Sequence, residues 1–346
     1  MERREFLRTI ETSAVIGAGS LLAVGNRTES AEVGTAGQRY RFRLGMYLPE
    51  LGLPFDKSLA TAKQLGAEAV WFNGVPGAPD IAKMTDAQAR RIAAQVKSHD
   101  LEIFLLNAGN PFKKIHLAEL DIKTMAGHPA FRRDLDALVR SMQIAREIGV
   151  SAVGSFTFAW PGEYTAGKPT WPMRWLTRGG VIARVDQDKW LKAFSMVADQ
   201  AEKYGVDVAL SMMPWNYTNT TGNFRRLVER LGSHRLKVMW GPADNVNCGE
   251  WDTATAGFQN VRPYLHGLHI KDLRVNNGLE LDFDYCPFGE GDVDYRTVLT
   301  NLRDHRCDVV LSVSTHFRPN NGDQLDAMKI NVANIRKMIG QIETAG

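Results

Sequence analysis

The sequence predicts a single-domain (β/α)8 TIM barrel, and three observations predict it. Short apolar runs alternate with amphipathic segments from Arg41 to Glu343. Eight of those runs have the length and character of strands. In "QLGAEAVWF", "EIGVSAVGS" and "KYGVDVALS", a helical segment ends at glycine and leads straight into an apolar run. Glycine stops a helix because it tolerates the left-handed backbone, and apolar runs of this length suit parallel strands covered on both faces. Eightfold alternation favours a closed barrel over an open doubly wound sheet. No G-x-G-x-x-G follows the first run, so a dinucleotide-binding fold has little support.

Taken in order, "RFRLGMYL" is the first strand, and Asp56 to Leu65 has helical spacing ended by Gly66. "AEAVWFNG" is the second strand; Asp86 to His99 follows as a helix, with Thr85 or Asp86 positioned to cap it. "LEIFLLNAG" is the third, and after an insertion Ala130 to Ile148 forms a long amphipathic helix. "VSAVGSFTF" is the fourth, followed by a second insertion and a helix from Gln187 to Tyr204. "VDVALSMMP", the helix "FRRLVERLG", "LKVMWGP", "LHGLHIKD" and "DVVLSVSTHF" continue the series, and Gln324 to Glu343 closes it as a helix. "FGEGDVDY" reads as a surface loop before a helix. The insertions, "NPFKKIHLAELDIKTMAGHP" and "AWPGEYTAGKPTWPMRWLTRGG", follow strands, and loops in that position line the catalytic face of a barrel.

Hydrophobic content of 44% and charged content of 23% are those of a globular protein, and a net charge of +3 over 346 residues gives no argument for nucleic-acid or membrane binding. Paired Arg3 and Arg4 stand before Phe6 and the apolar run "SAVIGAGSLLAVG", the pattern of a twin-arginine (Tat) export signal. The run is too short to span a bilayer comfortably. Residues 1–37 are therefore expected to be a signal and flexible segment and residues 38–346 the barrel, delivered to the periplasm or secreted. The three cysteines, Cys248, Cys286 and Cys307, have no C-x-x-C spacing and are expected to be free, mostly buried thiols.

Candidate chemistry lies at strand ends. In "HGLHIKDL" strand alternation puts Leu268, Ile270 and Asp272 on one side, and His269 and Lys271 on the other, facing the barrel interior. His316 follows the last strand, and Asp244 and Asn245 end "WGPADN". Histidine, lysine and aspartate so placed move protons or bind a cation. The expected catalytic groups are His269, Lys271, Asp272 and His316. The expected substrate-binding groups are Trp160, Ser211, Trp215, Asp244 and Ser314, because tryptophan faces stack on sugar rings while polar groups take the hydroxyls. No G-x-S-x-G, H-E-x-x-H, P-loop or C-x-x-C is present, against serine hydrolase, zincin and nucleotide hydrolase chemistry.

"LHIKDL" with "PFGEGDVDY" downstream, "TGNFRRLVERLGSHRLKVMWGPADN" and "LSVSTHF" resemble the xylose isomerase-like TIM barrels, the sugar phosphate isomerase/epimerase superfamily, from about Phe42 to Ile342. The resemblance implies one divalent metal held by two glutamates, an aspartate and a histidine from different strand ends, with the glutamates shuttling protons through an ene-diolate. Carried over by position, the histidine falls on His269, but the first glutamate falls on Ser211, the aspartate on Gly241 and the last glutamate on Ser314. His269 is thus the one retained metal ligand. The expectation is a sugar or keto-sugar isomerase, epimerase or lyase working without the usual cofactor. A manganese or magnesium ion held through shifted ligands (Asp244, His269, Asp272, His316) is the alternative. The other class is a carbohydrate-binding pseudoenzyme or partner subunit. The expected partner is a small-molecule carbohydrate, with no nucleic acid and no membrane once the signal is cleaved; a homo-oligomer is compatible with the sequence.

Overall fold

The structure, a computed structural model, describes residues 40–159, 182–277 and 282–344. The compact unit begins at Tyr40. All eight predicted strands are present: β1 Arg43–Tyr47, β2 Ala69–Phe72, β3 Glu102–Leu106, β4 Ala152–Ser155, β5 Asp207–Ser211, β6 Leu236–Trp240, β7 Leu265–Ile270 and β10 Val310–Val313. Each pairs in parallel with the next, and β10 returns to β1 to close the barrel. The closing register sets Gly45 against Ser312 and Met46 against Val313. That register brings the chain after β1 beside the chain after β10.

The long helices lie where the sequence places them, α1 Phe55–Gln64, α2 Asp86–Ser98, α3 Pro129–Ile148, α4 Arg184–Tyr204, α5 Thr221–Leu231, α8 Tyr295–Asp304 and α9 Gln324–Thr344, and two short ones join them that the sequence did not announce, α6 Pro242–Asn247 and α7 Phe258–Val261. Thr85 caps α2 through a capping box with Gln88, satisfying donors that the first helical turn leaves open. Gly149 and Gly205 end α3 and α4 with φ of 74° and 66°, so each helix stops where the next strand must begin.

Two apolar cores result. One fills the space between strands and helices and includes Leu268 and Ile270 of β7. The other lies inside the barrel and joins Trp71, Phe104, Met239 and Val310 with small Ala69, Ala152 and Ala209. A Cβ at Gly45 would stand 2.3 Å from Val310 Cγ1, so the interior needs glycine there. The cysteines Cys248, Cys286 and Cys307 are free, the first two buried.

The segment after Lys271 departs from expectation. It forms an antiparallel hairpin, β8 Asp272–Asn277 with β9 Asp282–Cys286, outside the barrel sheet. The "FGEGDVDY" stretch is not a plain surface loop. Phe288 is buried, the backbone wraps around Asp272, and Asp294 caps α8 by accepting from Thr297 N at 3.0 Å.

Candidate active site at the C-terminal mouth

A cavity of about 140 Å³ opens at the C-terminal ends of the strands. Trp71 and Met239 extend the interior core to its wall, and Tyr47 stacks on Trp71 at 4.1 Å. Its polar lining includes Glu50, Asn107, Lys113, Ser211, His269 and His316. The volume is that of about five liquid waters at ~30 Å³ each, the scale of a small ligand.

Glu50 is the residue that the sequence did not single out. It sits in a short 3₁₀ turn, Leu48–Leu51, that directly continues β1, with Pro49 starting the turn and Gly52 (φ 66°) ending it. Its carboxylate is buried and accepts from Ser314 Oγ at 2.7 Å on each oxygen, and from the Thr315 amide. His316 Nε2 stands 3.9 Å from Oε1. Burial pushes the Glu50 carboxyl up to about 7, against the hydrogen bonds and the positive charges of Lys271 and Arg318, which pull it down. Ser314 holds Glu50; the carboxylate that the resemblance expects after the last strand is delivered from the first. The available signal was a Pro-Glu pair directly after a predicted barrel strand.

Lys271 and Asp244 form a buried ion pair, Nζ to Oδ1 at 3.0 Å, with side chains 3% and 4% exposed. Burial works against the Lys271 charge, but Asp244, with Tyr285 and Glu50, outweighs it and raises the ammonium above its ordinary range. Asp244 also explains Gly241: a Cβ at 241 would lie 2.5 Å from Asp244 Oδ2, so this carboxylate occupies the room of a side chain at that strand end. The acidic group has moved three positions along the chain into α6.

His269 projects inward from β7 as alternation requires, is 9% exposed, and leaves Nε2 without a hydrogen-bond partner among the described residues. Asn107 Oδ1, also lining the cavity, is likewise buried without a partner among them. Buried polar atoms are normally satisfied, so both atoms mark places for a ligand's polar groups. Burial, the charge of Lys271 and then His316 hold His269 well below the usual imidazole range. His316, 6.3 Å from His269 between ring centres, is lowered to about 3 by burial and by Lys271 and Arg318. Both rings are neutral near pH 7 and offer one donor and one acceptor each.

The other predicted residues divide. Ser211 lines the cavity at the end of β5. Trp215 lies outside that lining and carries Lys113 Nζ 5.5 Å from its ring centre; the same ammonium is 5.0 Å from the Phe156 ring. Trp160 falls outside the described residues. Asp272 is placed away from the cavity: its carboxylate accepts from the amides of Leu273, Gly289 and Gly291 at 2.9, 2.9 and 3.2 Å, and pins the loop before α8. A chain reversing direction after β7 turns that side chain toward its own loop rather than the barrel mouth. His266 is at the opposite end of β7, bonded to Phe104 O at 2.9 Å.

Glu50, His269 and His316 bring ligand atoms within 4.8 Å of one another, a spacing compatible with a three-ligand metal site. Their chemistry does not fit manganese or magnesium. Hard divalent cations take several oxygen ligands, whereas this set is one carboxylate and two imidazoles. The carboxylate already accepts from Ser314 and Thr315, and the second acidic group, Asp244, is neutralised by Lys271.

A closed parallel barrel with a polar cavity at the C-terminal mouth defines the class: a (β/α)8 protein with its ligand site in the usual place for that architecture. A sequence profile described as xylose isomerase-like TIM barrel matches residues 59–337, and the chain belongs to that family. No curated protein matches the sequence. Among solved structures, an L-ribulose 3-epimerase is similar at 16% identity and a TM-score of 0.64, over 88% of this chain and 97% of that one. A D-psicose 3-epimerase with D-tagatose from Clostridium cellulolyticum H10 is similar at 17% identity and 0.59, over 88% and 96%. A 3-keto-D-glucoside 4-epimerase from E. coli is similar at 15% identity and 0.61, over 86% and 100%. At these identities the likeness speaks for the fold alone.

Proposed function

We propose that this protein binds a sugar or keto-sugar in the mouth cavity and moves a proton at the carbon beside its carbonyl, as an isomerase or epimerase does. The observation that carries the reading is Glu50: a buried carboxyl facing a small polar cavity, held by Ser314 and Thr315, with its affinity for a proton raised to about 7. Such a group both takes and returns a proton near neutral pH, which is what isomerisation through an ene-diolate requires. Neutral His269, with Nε2 facing no partner among the described residues, is placed to hydrogen-bond the substrate oxygen, and neutral His316 stands beside Glu50 as a second hydrogen-bonding group. Lys113 adds a positive charge at the wall. These groups supply the acid–base chemistry from the chain itself. The sugar epimerases among the similar folds favour a carbohydrate substrate.

The test is incubation with a panel of keto- and aldo-sugars in deuterated buffer, followed by NMR. Deuterium incorporation next to the carbonyl, with or without net epimerisation, is the expected result. A second reading, a carbohydrate-binding protein without catalysis, is favoured by Ser211, Gly241 and Ser314 standing where the resemblance calls for acidic groups. Saturation transfer from protein to sugar with no deuterium exchange would support it; absence of both signals for every sugar would end both readings.

We further propose export through the Tat route, on the strength of Arg3 and Arg4 before the short apolar run. The expected outcome is recovery of the wild-type protein outside the cytoplasm and retention inside the cell when both arginines are changed to lysine. Equal distribution of the two would remove the proposal.

A further inference from the structure

The two histidines of the mouth stand on one side of the barrel. His269 is on β7 and His316 follows β10, and the closed strand order sets those two strands opposite β3 and β4. The far wall of the same cavity is built by the chain leaving β3, which contributes Asn107, Asn110 and Lys113, and by Phe156 just after β4. Among the described residues of the lining, Lys113 is the one ammonium and Glu50 the one carboxyl. We propose that Lys113 binds a carboxylate on the substrate, so that the sugar this site takes is a sugar acid. The inference rests on the reading of the mouth as a sugar site and names the class of sugar.

The position of Lys113 is built into the fold. The residue before it, Phe112, is fully buried with φ of 63°, a left-handed backbone that bulky side chains rarely adopt. Its amide donates to Asp134 Oδ2 of α3 at 2.7 Å, and its ring lies 5.4, 5.3 and 5.8 Å from those of Phe131, Phe158 and Phe194. Phe158, on the neighbouring strand exit, is also fully buried and left-handed, with φ of 70°. The Phe156 amide donates to Pro111 O at 3.3 Å and ties the two exits together. Strained backbone persists only where its surroundings hold it, and it gathers at ligand sites. Here Lys113 follows the strained turn into the cavity wall, its ammonium 5.0 Å from the centre of the Phe156 ring and 5.5 Å from that of Trp215. Burial, Lys271 and Lys114 lower its proton affinity, against Asp244, which raises it; Asp244 itself is engaged by Lys271 at 3.0 Å. An ammonium beside Phe156, Met212 and Met213 gains more from an arriving anion than one in open water does. On the same wall Asn107 is 5% exposed, and its Oδ1 has no partner among the described residues, so it calls for a donor from the ligand. A polyhydroxy acid meets both needs, with a hydroxyl to donate to Asn107 and a carboxylate to accept from Lys113. One ammonium matches the single charge of a carboxylate, whereas a phosphate ester carries about two near pH 7.

The test is calorimetry with matched sugars: D-glucose, D-galactose and D-fructose, the corresponding D-glucuronate, D-galacturonate and D-fructuronate, and the three 6-phosphates. At least one uronate is expected to bind wild type on the order of ten- to a hundredfold tighter than its neutral parent, the scale of one hydrogen bond between charged groups. Lys113→Met is expected to erase that preference, and Lys113→Arg, which keeps a cation and its donors, to retain it. If Lys113→Met does not fold, the comparison of acid with neutral sugar on wild type still decides the matter. Uronates that bind no tighter than their parents, or not at all, would overturn the proposal. So would a preference that survives in folded Lys113→Met, or 6-phosphates that bind more tightly than the uronates. Deuterium exchange beside the carbonyl is scored separately on the same sugars. A uronate that binds tightly without exchange keeps the carboxylate site and counts against the isomerase reading; a neutral sugar that exchanges while no uronate binds does the reverse.

Discussion

Glu50→Gln is expected to slow sugar-dependent deuterium exchange by about 10² to 10⁴-fold, the usual contribution of a positioned general acid–base group. The amide keeps the shape, and its oxygen still accepts from Ser314 and Thr315, so the fold is retained while the proton-transfer group is lost. The wild-type exchange rate should rise with pH and level off above about 7, because abstraction needs the ionised carboxylate; the variant's residual rate should lack that rise. Stability supplies a second readout of the same group. Glu50 is raised from an ordinary 4.5 to about 7, so between those values the folded chain holds a proton that the unfolded chain has released. Stability therefore falls as pH rises through that window. Glutamine does not titrate, so the Tm of Glu50→Gln relative to wild type should climb from pH 5 to pH 8. Full exchange activity in the folded variant would remove Glu50 from the mechanism.

Asp244→Ala is expected to destabilise the protein by about 3–5 kcal/mol, the range for stranding one member of a buried ion pair. The cause is Lys271, which would remain almost fully buried with its charge unmatched. Burial already works against that charge, and Asp244 is foremost among the groups that reverse the balance. Combining Asp244→Ala with Lys271→Met should restore much of the loss, because two buried charges disappear together. Urea unfolding of the two single variants and the double variant gives the coupling directly. A double variant as unstable as the sum of its parts would mean that the two groups act separately.

Much of the fold was legible in the sequence because its signals are local. A glycine with positive φ ends α3 at Gly149 and α4 at Gly205, and the apolar run after each is a strand. Alternation along β7 correctly sent His269 and Lys271 inward and Leu268 and Ile270 to the outer core. The hairpin β8–β9 was not legible: "DLRVNN" and "DFDYC" mix charged and apolar residues on a largely exposed ribbon and lack the continuous apolar run of a barrel strand. The short helices α6 and α7, of six and four residues, are too brief to show a helical period.

The site divides in the same way. His269, His316 and Ser211 were expected at the mouth because strand ends in a barrel face one mouth, a rule that needs only the strand boundaries, and all three line the cavity there. Asp272 was expected at that mouth because it follows His269 and Lys271, yet the chain turns there and its carboxylate serves the amides of its own loop. Glu50 was passed over because its partner Ser314 is 264 positions away, and nothing near Glu50 in the sequence announces that contact.

By itself, then, the sequence determined the alternation, the number of barrel strands and the inward-facing side of β7, since helix stops, apolar runs and a period of two are properties of neighbouring residues. It also displayed serine, glycine and serine, Ser211, Gly241 and Ser314, at positions where the resemblance calls for acids. Only the tertiary structure decided what stands in their place. Closing β1 onto β10 carries Glu50 to Ser314, and the turn from Gly241 into α6 carries Asp244 into the space beside Gly241 and onto Lys271. Charge in a buried site is balanced by whatever groups converge in space, and convergence is set by barrel closure, not by order along the chain.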